Sequence, residues 1–324
     1  MRGLSESTKQ LIQYARQLLE EDNPQTLRQL HYAIFSRREI EYENDQAHYK
    51  RLSRATTVAR RNYRELELMF PGRDVSLLSP CLIPPGWMAD ETREPETVSV
   101  WADAAAYIET VKRAYRRDNW QDQAHHVEVW SEKATILGAI RPVAEEWGVT
   151  LRISHGFGST GMEQQIGECF ASLEKQKRIN VFFLGDHDPS GHVIEQDIHQ
   201  RVTVASGRQF DMKRLAIHES DIRAFNLPPQ RIKPSDSRAA GFRRRFGSDA
   251  ATVELDALPA AELRRRVNAA VRELVDPERW QRQIAVQEVE FNSIADFAAR
   301  VKSLPQLSRN AATRKKGKQA RKGR

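Results

Sequence analysis

A nearly continuous apolar run, INVFFLG at residues 179–185, constrains the fold of this chain more than any other feature. Such a run is typical of a strand buried on both faces, as in a parallel sheet that is covered by helices. It belongs to a series of short strand-like segments, which also includes HHVEVW, TLRIS and KRLAI. Helix-like segments separate these strands from residue 124 onward. The alternation predicts an α/β domain with a small parallel sheet.

Helical periodicity supports the segments between the strands. The segment SEKATILGAIRPVAEEW places its apolar residues on one helical face, namely Ile136, Leu137, Ile140, Val143, Ala144 and Trp147. A second helix, GMEQQIGECFASLEK, precedes the apolar run, and a third is expected near residues 191–202. Residues 220–305 are predicted to be mixed and then mainly helical.

The first 70 residues are predicted to form three short helices. Capping boxes at Ser7–Gln10 and Thr26–Gln29 mark the first two. The third segment, KRLSRATTVARRNYR, carries six Lys and Arg residues and no acid. A basic third helix is typical of a winged-helix or helix-turn-helix module that binds DNA, although a solvated charged face explains the same pattern. The candidate DNA contacts are Lys50, Arg51, Arg54, Arg60, Arg61 and Arg64.

Composition shifts divide the chain into three regions. Residues 1–120 are expected to form the winged-helix-like domain, with a proline-rich, loop-rich stretch at 71–100 that includes a β-wing. Residues 121–305 are expected to hold the α/β domain and a helical extension. Residues 306–324 form a basic tail, which is expected to be disordered and either to hold a polyanion loosely or to solubilise the protein.

The bulk properties exclude several classes of protein. The net charge of +7 comes from the tail, because residues 309–324 contain eight Lys and Arg residues and no acid. The two cysteines, Cys81 and Cys169, are too few for a disulfide framework or a cysteine zinc site. No apolar run approaches the ~20 residues of a membrane span, and the N-terminus has no apolar signal core. We therefore expect a cytoplasmic, nucleoid-associated protein that does not bind a membrane.

Acidic residues come directly after two of the predicted strands. Glu132 lies after the strand HHVEVW, and Asp186 and Asp188 lie after the strand INVFFLG. Ligands bind at the carboxyl ends of parallel strands, where three carboxylates can hold one hard cation and leave room for phosphate oxygens. Turn chemistry is the alternative, since Asp-Pro-Ser-Gly also favours a turn. Glu128 is a weaker candidate than Glu132 because it lies in the middle of its strand.

Two segments, VEVWSEKATILGAI and FFLGDHDPSG, resemble the acidic motifs of Toprim domains in the A subunit of topoisomerase VI and its meiotic double-strand-break relatives. The resemblance implies a Rossmann-like Toprim domain after a winged-helix domain, in a small stand-alone form of the A subunit. It also implies that Glu132, Asp186 and Asp188 bind Mg²⁺ or Mn²⁺. Residues 215–259 resemble the segment after the Toprim core in such proteins, where Glu254 and Asp256 are expected to have a structural role near the metal.

The same families carry an Arg-x-x-Tyr-Tyr sequence whose second tyrosine attacks DNA. In the segment TLRQLHYAIFS, Arg28 matches the arginine, Tyr32 matches the nucleophile, and His31 replaces the first tyrosine.

The helical periodicity of this segment predicts that Tyr32 faces away from the core. At 100° per residue, Tyr32 lies almost opposite the apolar stripe of Leu27, Leu30 and Ile34. Arg28 is one turn back on the same side as Tyr32. We therefore expect an exposed tyrosine beside an arginine, as a nucleophile that faces DNA requires.

The resemblance implies reversible, metal-dependent cleavage of double-stranded DNA, in which the tyrosine forms a 5′-phosphotyrosyl link. Two alternatives remain: a Toprim nuclease that uses water, and a DNA-binding module without activity. In the related families the tyrosine and the metal come from different protomers, which implies a homodimer. GFGSTGM at 156–162 lacks the Lys and Ser or Thr of an ATP-binding loop, so strand passage would need a separate ATPase subunit.

Overall fold

A computed structural model describes residues 4–61, 63–72, 74–89, 98–154, 160–232 and 236–303. The chain forms two compact units, one of Met1–Glu94 with Gln123–Val275 and one of Pro95–Asp122 with Asp276–Arg324. The chain re-enters the first unit close to the boundary expected near residue 120. The N-terminal helices and the α/β region, however, belong to the same unit.

The helices of the described residues, in chain order, are α1 (Glu6–Glu21), α2 (Leu27–Arg37), α3 (Gln46–Ala59), α4 (Tyr63–Met69), α5 (Ala104–Ala114), α6 (Leu137–Trp147), α7 (Thr160–Ser172), α8 (Pro189–Ser206), α9 (Glu219–Ala224), α10 (Ala239–Phe246), α11 (Ala260–Arg272) and α12 (Pro277–Ser303). The strands are β1 (His125–Ser131), β2 (Thr150–Ile153), β3 (Arg178–Leu184) and β4 (Asp211–Ala216).

The N-terminal helices start at side-chain caps. The capping box of α2 is confirmed, because the Thr26 hydroxyl accepts from the Gln29 N–H at 3.2 Å and the Gln29 side chain accepts from the Thr26 N–H at 2.9 Å. The predicted box at Ser7–Gln10 is wrong by two residues. Ser5 has an extended backbone and caps α1, accepting from the Thr8 N–H at 3.3 Å.

The apolar faces of α1, α2 and α3 meet in one core. Its fully buried members include Ile12, Leu19, Leu30, Ile34 and Leu52. Each such side chain contributes about 1.5–3 kcal/mol through removal of apolar surface from water. This core explains why the helical stripes recognised in the sequence face inward.

The stretch expected to form a β-wing has a different structure in its described residues. Residues 75–81 form a 3₁₀ helix, and Met88 makes a single bridge with Gln25. The described part of 71–100 contains no β-strand. Pro71, Pro80 and Pro84 lack the N–H groups that a strand ladder needs, which accounts for the difference.

The α/β region forms the predicted parallel sheet. The strand order is β2-β1-β3-β4, and each neighbouring pair is parallel. On one face, α7 and α8 pack against alternate residues of β3, including Val181 and Phe183. Phe182 and Leu184 alternate with them and are also buried. Helix α6 contacts α11 and β2, and α11 also contacts β4. Burial on both faces explains the continuous apolar run of β3.

The strand order changes direction between β1 and β3. The chain moves from β1 outward to β2, then crosses back to β3 on the other side of β1. Loops at the carboxyl ends of the two central strands diverge at such a switch point and leave a crevice between them. The fold therefore assigns a ligand position next to the residues that come after β1 and β3.

The second compact unit pairs α5 with α12. The Arg117 guanidinium donates to Gln283 at 2.5 Å and to Glu290 at 2.6 Å, and Trp120 contacts Trp280 edge to face. In α12 only Gln283 and Ala298 are buried, and α5 buries no residue. No helix of the described residues is long and apolar enough to cross a membrane.

Candidate functional site

Glu132 and Asp186 meet at the switch point of the sheet. The Glu132 N–H donates to the carbonyl of Leu184, the last residue of β3, at 2.9 Å. The Glu132 carboxylate in turn accepts from the Asp186 N–H at 3.0 Å. Two acids that are 54 positions apart in sequence are thus held in contact by the pairing of β1 with β3.

Two glycines leave the space that the Glu132 carboxylate occupies. A Cβ added at Gly185 would lie 2.5 Å from the Phe183 ring and 3.0 Å from Glu132 Oε2. A Cβ added at Gly191 would lie 2.5 Å from the Asp186 carbonyl oxygen and 3.0 Å from the same Oε2. A larger residue at either position would therefore require the Phe183 ring, the Asp186 backbone or the Glu132 carboxylate to shift.

The environment of Glu132 favours its neutral form. Burial and, after it, the negative charge of Asp186 raise the pKa of Glu132 to about 7. Burial also raises the pKa of Asp186, although the Lys133 ammonium opposes that effect. A shift of this kind is typical of groups that bind a cation or transfer a proton.

The sequence predicts two alternative roles for Asp188, as a metal ligand and as a turn residue. It caps α8, with one carboxylate oxygen accepting from the Gly191 N–H at 2.6 Å. Asp188 therefore does act as a turn residue, at the start of α8. Its charge also raises the pKa values of both Glu132 and Asp186, so it lies close to them.

A second pair of acids joins this site through Lys133. The Lys133 Nζ lies 3.0 Å from Asp186, 3.2 Å from Asp256 and 3.4 Å from Glu254. Burial lowers the pKa of Lys133, but these three carboxylates outweigh it and raise the pKa above its usual value. The Asp186 carboxylate also accepts from the Leu255 N–H at 2.7 Å, which ties the two acidic segments together.

The sequence predicted only a structural role for Glu254 and Asp256, and no motif singled out Lys133. Two signals could have pointed to them. Lys133 is the residue directly after Glu132, and Glu254 and Asp256 repeat the one-residue spacing of Asp186 and Asp188.

Tyr32 is buried rather than exposed, which corrects the expectation from its helical face. Its side chain is 3% exposed. The apolar stripe of α2 faces the helical core, as predicted, but α2 also packs against the segment Leu255–Ala257. A helical wheel detects one apolar face and cannot detect a second contact surface made by a distant segment.

Arg28 and Glu254 lie close enough to Tyr32 for the charges of both to shift the pKa of its phenol. The Arg28 guanidinium donates to Glu254 Oε1 at 2.9 Å, and its Nε lies 2.8 Å from Oε2. Burial and the negative charge of Glu254 raise the pKa of Tyr32, Arg28 opposes them, and the net result is a pKa of about 12. Since Glu254 also contacts Lys133, the tyrosine and the acids after β3 share one ionic network.

His31 stands where the related families have their first tyrosine. It is buried, and its ring nitrogens contact the Tyr42 hydroxyl at 2.6 Å and Asn44 at 3.0 Å. Burial lowers the pKa of His31, which keeps the ring neutral. These contacts are those of a structural residue.

Two cavities flank Arg28. One has a volume of about 410 Å³ and is lined by residues of α2, α3 and the start of α6, including Arg60. The other has a volume of about 400 Å³ and is lined by Tyr32, His31 and Gln230 among others. Arg28 and Tyr49 line both cavities, so the two cavities are neighbours, one beside the basic helix α3 and one beside the tyrosine.

The candidate DNA contacts differ in availability. Lys50 and Arg54 are exposed on α3, on the side away from its buried residues. The Arg51 guanidinium donates to the Ser7 carbonyl at 3.0 Å, and Arg61 lies 3.9 Å from Glu65. The Arg64 side chain, the loop 155–159 and the basic tail lie outside the described residues.

Glu128 has no free carboxylate oxygen for a metal. It is fully buried and accepts two hydrogen bonds from Arg152, at 2.6 and 2.9 Å.

The acids at the switch point have the oxygen chemistry that Mg²⁺ prefers. No group of three or more His, Cys, Asp or Glu among the described residues is arranged to hold a metal. The Asp186 N–H, the Lys133 ammonium and the Gly191 N–H each contact a carboxylate oxygen of these acids. The buried Asp256 oxygens, by contrast, accept no hydrogen bond. The oxygen chemistry of these acids suits a hard cation, which would have to replace these contacts.

Comparison with protein-family models, with curated proteins and with solved structures found no match to this chain.

Proposed function

We propose that this chain is a Toprim-type enzyme that cleaves double-stranded DNA in the presence of Mg²⁺ or Mn²⁺, with Tyr32 as the nucleophile. One observation carries the proposal. The charge of Glu254 acts on the Tyr32 phenol, Glu254 shares Lys133 with Asp186, and Asp186 contacts Glu132 at the switch point of the sheet. A candidate nucleophile and a candidate metal site therefore belong to one connected network.

Glu132, Asp186 and Asp188 would hold the metal ion. A divalent ion bound there supplies positive charge next to the scissile phosphate and the leaving 3′ oxygen. The residues of the chain would bind and orient the DNA. The positive charge of Arg28 lowers the pKa of Tyr32 and so favours the phenolate, and its guanidinium could contact a phosphate.

Tyr32 must lose its proton to attack. With a pKa of about 12, only about one hydroxyl in 10⁵ is ionised at pH 7. Glu254 accounts for part of this shift, so a movement of Glu254 away from the phenol on DNA binding would lower the pKa. The attack would join the tyrosine oxygen to phosphorus and release the 3′ oxygen of the neighbouring nucleotide.

The DNA would approach along α3, which leads to the cavities beside Arg28. N-terminal helices with a basic third helix support a winged-helix-like role for this part of the chain, as in the related families. The resemblance to those families also supports a homodimer and, for strand passage, a separate ATPase subunit.

Hydrolysis by water is a second candidate, because Tyr32 is 3% exposed. A buried phenol cannot attack DNA until the chain around it moves. The acids at the switch point need no such movement to bind a metal and activate water.

The tyrosine is tested by Tyr32→Phe in a Mg²⁺-dependent cleavage assay that ends with denaturing phenol extraction. Because the reaction makes a covalent bond, we expect wild-type protein to carry DNA into the phenol phase and Tyr32→Phe to abolish both cleavage and this adduct. The matched control is Tyr14→Phe in α1, since Tyr14 is also buried and its pKa is also raised to about 12 by burial. Normal cleavage by Tyr32→Phe, without an adduct in wild type, would establish hydrolysis instead.

A further inference from the structure

We propose that helix α10 is a further DNA-contact surface, on which the guanidinium groups of Arg243, Arg244 and Arg245 bind phosphates of the DNA backbone. The inference rests on the proposed function only for the identity of the polyanion. The DNA contacts that the sequence suggested lie between residues 50 and 64 and in the basic tail, so α10 adds a surface that they do not include.

The segment around α10 is strongly basic. Residues 237–248 contain four arginines and no acid. The helix buries Ala239 and Phe242, whereas the three consecutive arginines 243–245 are all exposed. Consecutive residues of a helix point in directions about 100° apart, so the three guanidinium groups are spread around the outer surface of α10.

A second run of three arginines in the chain shows what the arginines of α10 lack. On α11 each arginine of the run pairs with a carboxylate, namely Arg264 with Asp22, Arg265 with Glu262 at 2.6 Å and Arg266 with Asp221 at 2.7 Å. Within the part of the chain that the structure describes, the guanidinium groups of residues 243–245 make no ion pair, and Arg245 lies over the Phe246 ring at 5.1 Å. Three adjacent positive charges repel one another, and an external polyanion would supply the counter-charge that carboxylates supply on α11.

Helix α10 is packed against the loop that comes after β3. The Phe242 and Phe246 rings contact the rings of His187 and His192, with centroids between 4.7 and 5.7 Å apart. His187 is the residue between two of the acids that are proposed to bind the metal. The aromatic contacts therefore hold the basic helix next to the proposed metal-binding loop.

A polar contact at the start of α10 leads to the same loop. The Arg238 guanidinium donates to the hydroxyl of Ser190, which lies in the first turn of α8, two residues after Asp188. Contacts to phosphates fix the position and orientation of a duplex without reading its sequence. DNA phosphates bound on the exposed side of α10 would therefore position the backbone beside the acids.

The residue type and the length of α10 fit a phosphate backbone. A guanidinium is planar and can donate two parallel hydrogen bonds to one phosphate, which lysine cannot do. The eight residues of α10 span about 12 Å. Duplex DNA carries about one charge per 1.7 Å of its axis, so a helix of this length can meet two or three phosphates.

The test is DNA binding by the full chain without divalent metal, measured by fluorescence anisotropy over a salt series. We expect the triple variant Arg243→Gln, Arg244→Gln and Arg245→Gln to bind duplex DNA roughly tenfold more weakly or worse at low salt. Its slope of log affinity against log salt should fall by about 0.9 for each phosphate contact that is lost. The triple variant with Lys at the same positions should keep the wild-type slope, because it keeps the charge.

The matched control removes three positive charges at the amino end of β3, through Lys175→Gln, Lys177→Gln and Arg178→Gln. It should keep a steeper slope than the Gln variant of α10. Equal slopes in these two variants would overturn the α10 surface. Loss of slope in the Lys variant as large as in the Gln variant would also overturn it, since the effect would then not depend on charge.

Chemical modification of arginine by phenylglyoxal tests the same contact in wild-type protein, where no substitution disturbs the fold. Peptide mass spectrometry should show that DNA protects Arg243, Arg244 and Arg245 while Arg178 stays reactive. Full reactivity of the α10 arginines in the complex would overturn the proposal. The proposed function fails instead if wild type binds DNA without cutting it or if Tyr32→Phe cuts normally, and neither result changes the salt slopes or the protection of α10.

Discussion

Two glutamates, Glu128 in β1 and Glu132 just after it, show that burial alone does not decide the pKa of a carboxyl group. Burial raises the pKa of both Glu128 and Glu132. At Glu128 the effect of burial is outweighed by hydrogen bonds from His126, Arg152 and Trp130, which lower the pKa to about 2. Glu132 has the negative charge of Asp186 beside it, and its pKa rises to about 7. The carboxylate with cationic partners stabilises the fold, and the one with an acidic neighbour is available for a ligand.

This difference leads to a prediction about stability. Glu128→Gln leaves Arg152 partly buried without its partner, so the free energy of unfolding should fall by roughly 3 kcal/mol. The pKa of Glu128 is depressed in the folded chain, so its contribution is present above the usual pKa near 4.5 and is lost as the pH falls toward 2. Urea unfolding at pH 7 and pH 3 measures both effects. A pH dependence between these values that is equal in wild type and Glu128→Gln would contradict the assignment.

At the scale of elements, α3 differs from the other N-terminal helices in its charge. Its inner face packs into the core through Leu52 and Ala55, and Lys50 and Arg54 are exposed on its outer face. The neighbouring cavity, of about 410 Å³, is lined by Ser53, Thr57 and other residues of the same helix. A helix that is anchored on one side and basic on the other can lie against a phosphate backbone.

Removing two positive charges from α3 should weaken DNA binding. For Lys50→Gln with Arg54→Gln, we expect a lower affinity and a salt dependence whose slope falls by about 1 for each phosphate that the helix no longer neutralises. The matched control is Lys175→Gln with Arg178→Gln, which removes the same charge near the amino end of β3, at the opposite edge of the sheet. Fluorescence anisotropy over a salt series gives the slopes. Equal slopes in the two double variants would show that α3 does not contact DNA.

At the scale of the whole molecule, exposed apolar residues concentrate in the second compact unit. Large apolar side chains are exposed on α5 and α12, namely Tyr107, Val111, Ile284, Val286, Val289, Phe291 and Phe297. Several exposed apolar side chains on one pair of helices are typical of association between protein chains. This surface is a candidate interface for the homodimer that the resemblance implies.

We therefore expect the chain of 37.2 kDa to sediment as a dimer. Val289→Glu with Phe297→Glu places two charges on α12 and should shift the equilibrium toward the monomer, because a buried unpaired charge is costly. Val204→Glu is the control, since Val204 on α8 is 78% exposed and belongs to the other unit. Analytical ultracentrifugation over a concentration range measures the equilibrium. Monomeric wild type would exclude the dimer, and dissociation by Val204→Glu would place the interface elsewhere.

The sequence by itself determined those features that depend on local patterns. The apolar run of β3 and the alternation around it predicted a parallel sheet, and the Thr26–Gln29 pattern predicted the start of α2. Acids placed after two strands were expected at one edge of the sheet, and Glu132 and Asp186 do meet there. Helical and strand periodicities repeat within a few residues, so a single segment contains the whole signal.

Only the tertiary structure decided the partners of those features. The burial of Tyr32 depends on the segment Leu255–Ala257, more than 200 residues along the chain, which no helical wheel includes. Glu254 and Asp256 became neighbours of Lys133 for the same reason, since they come after no strand and show no periodicity. Burial and the pKa shifts it causes are properties of groups brought together from distant segments. They arise when the chain folds, and no local pattern encodes them.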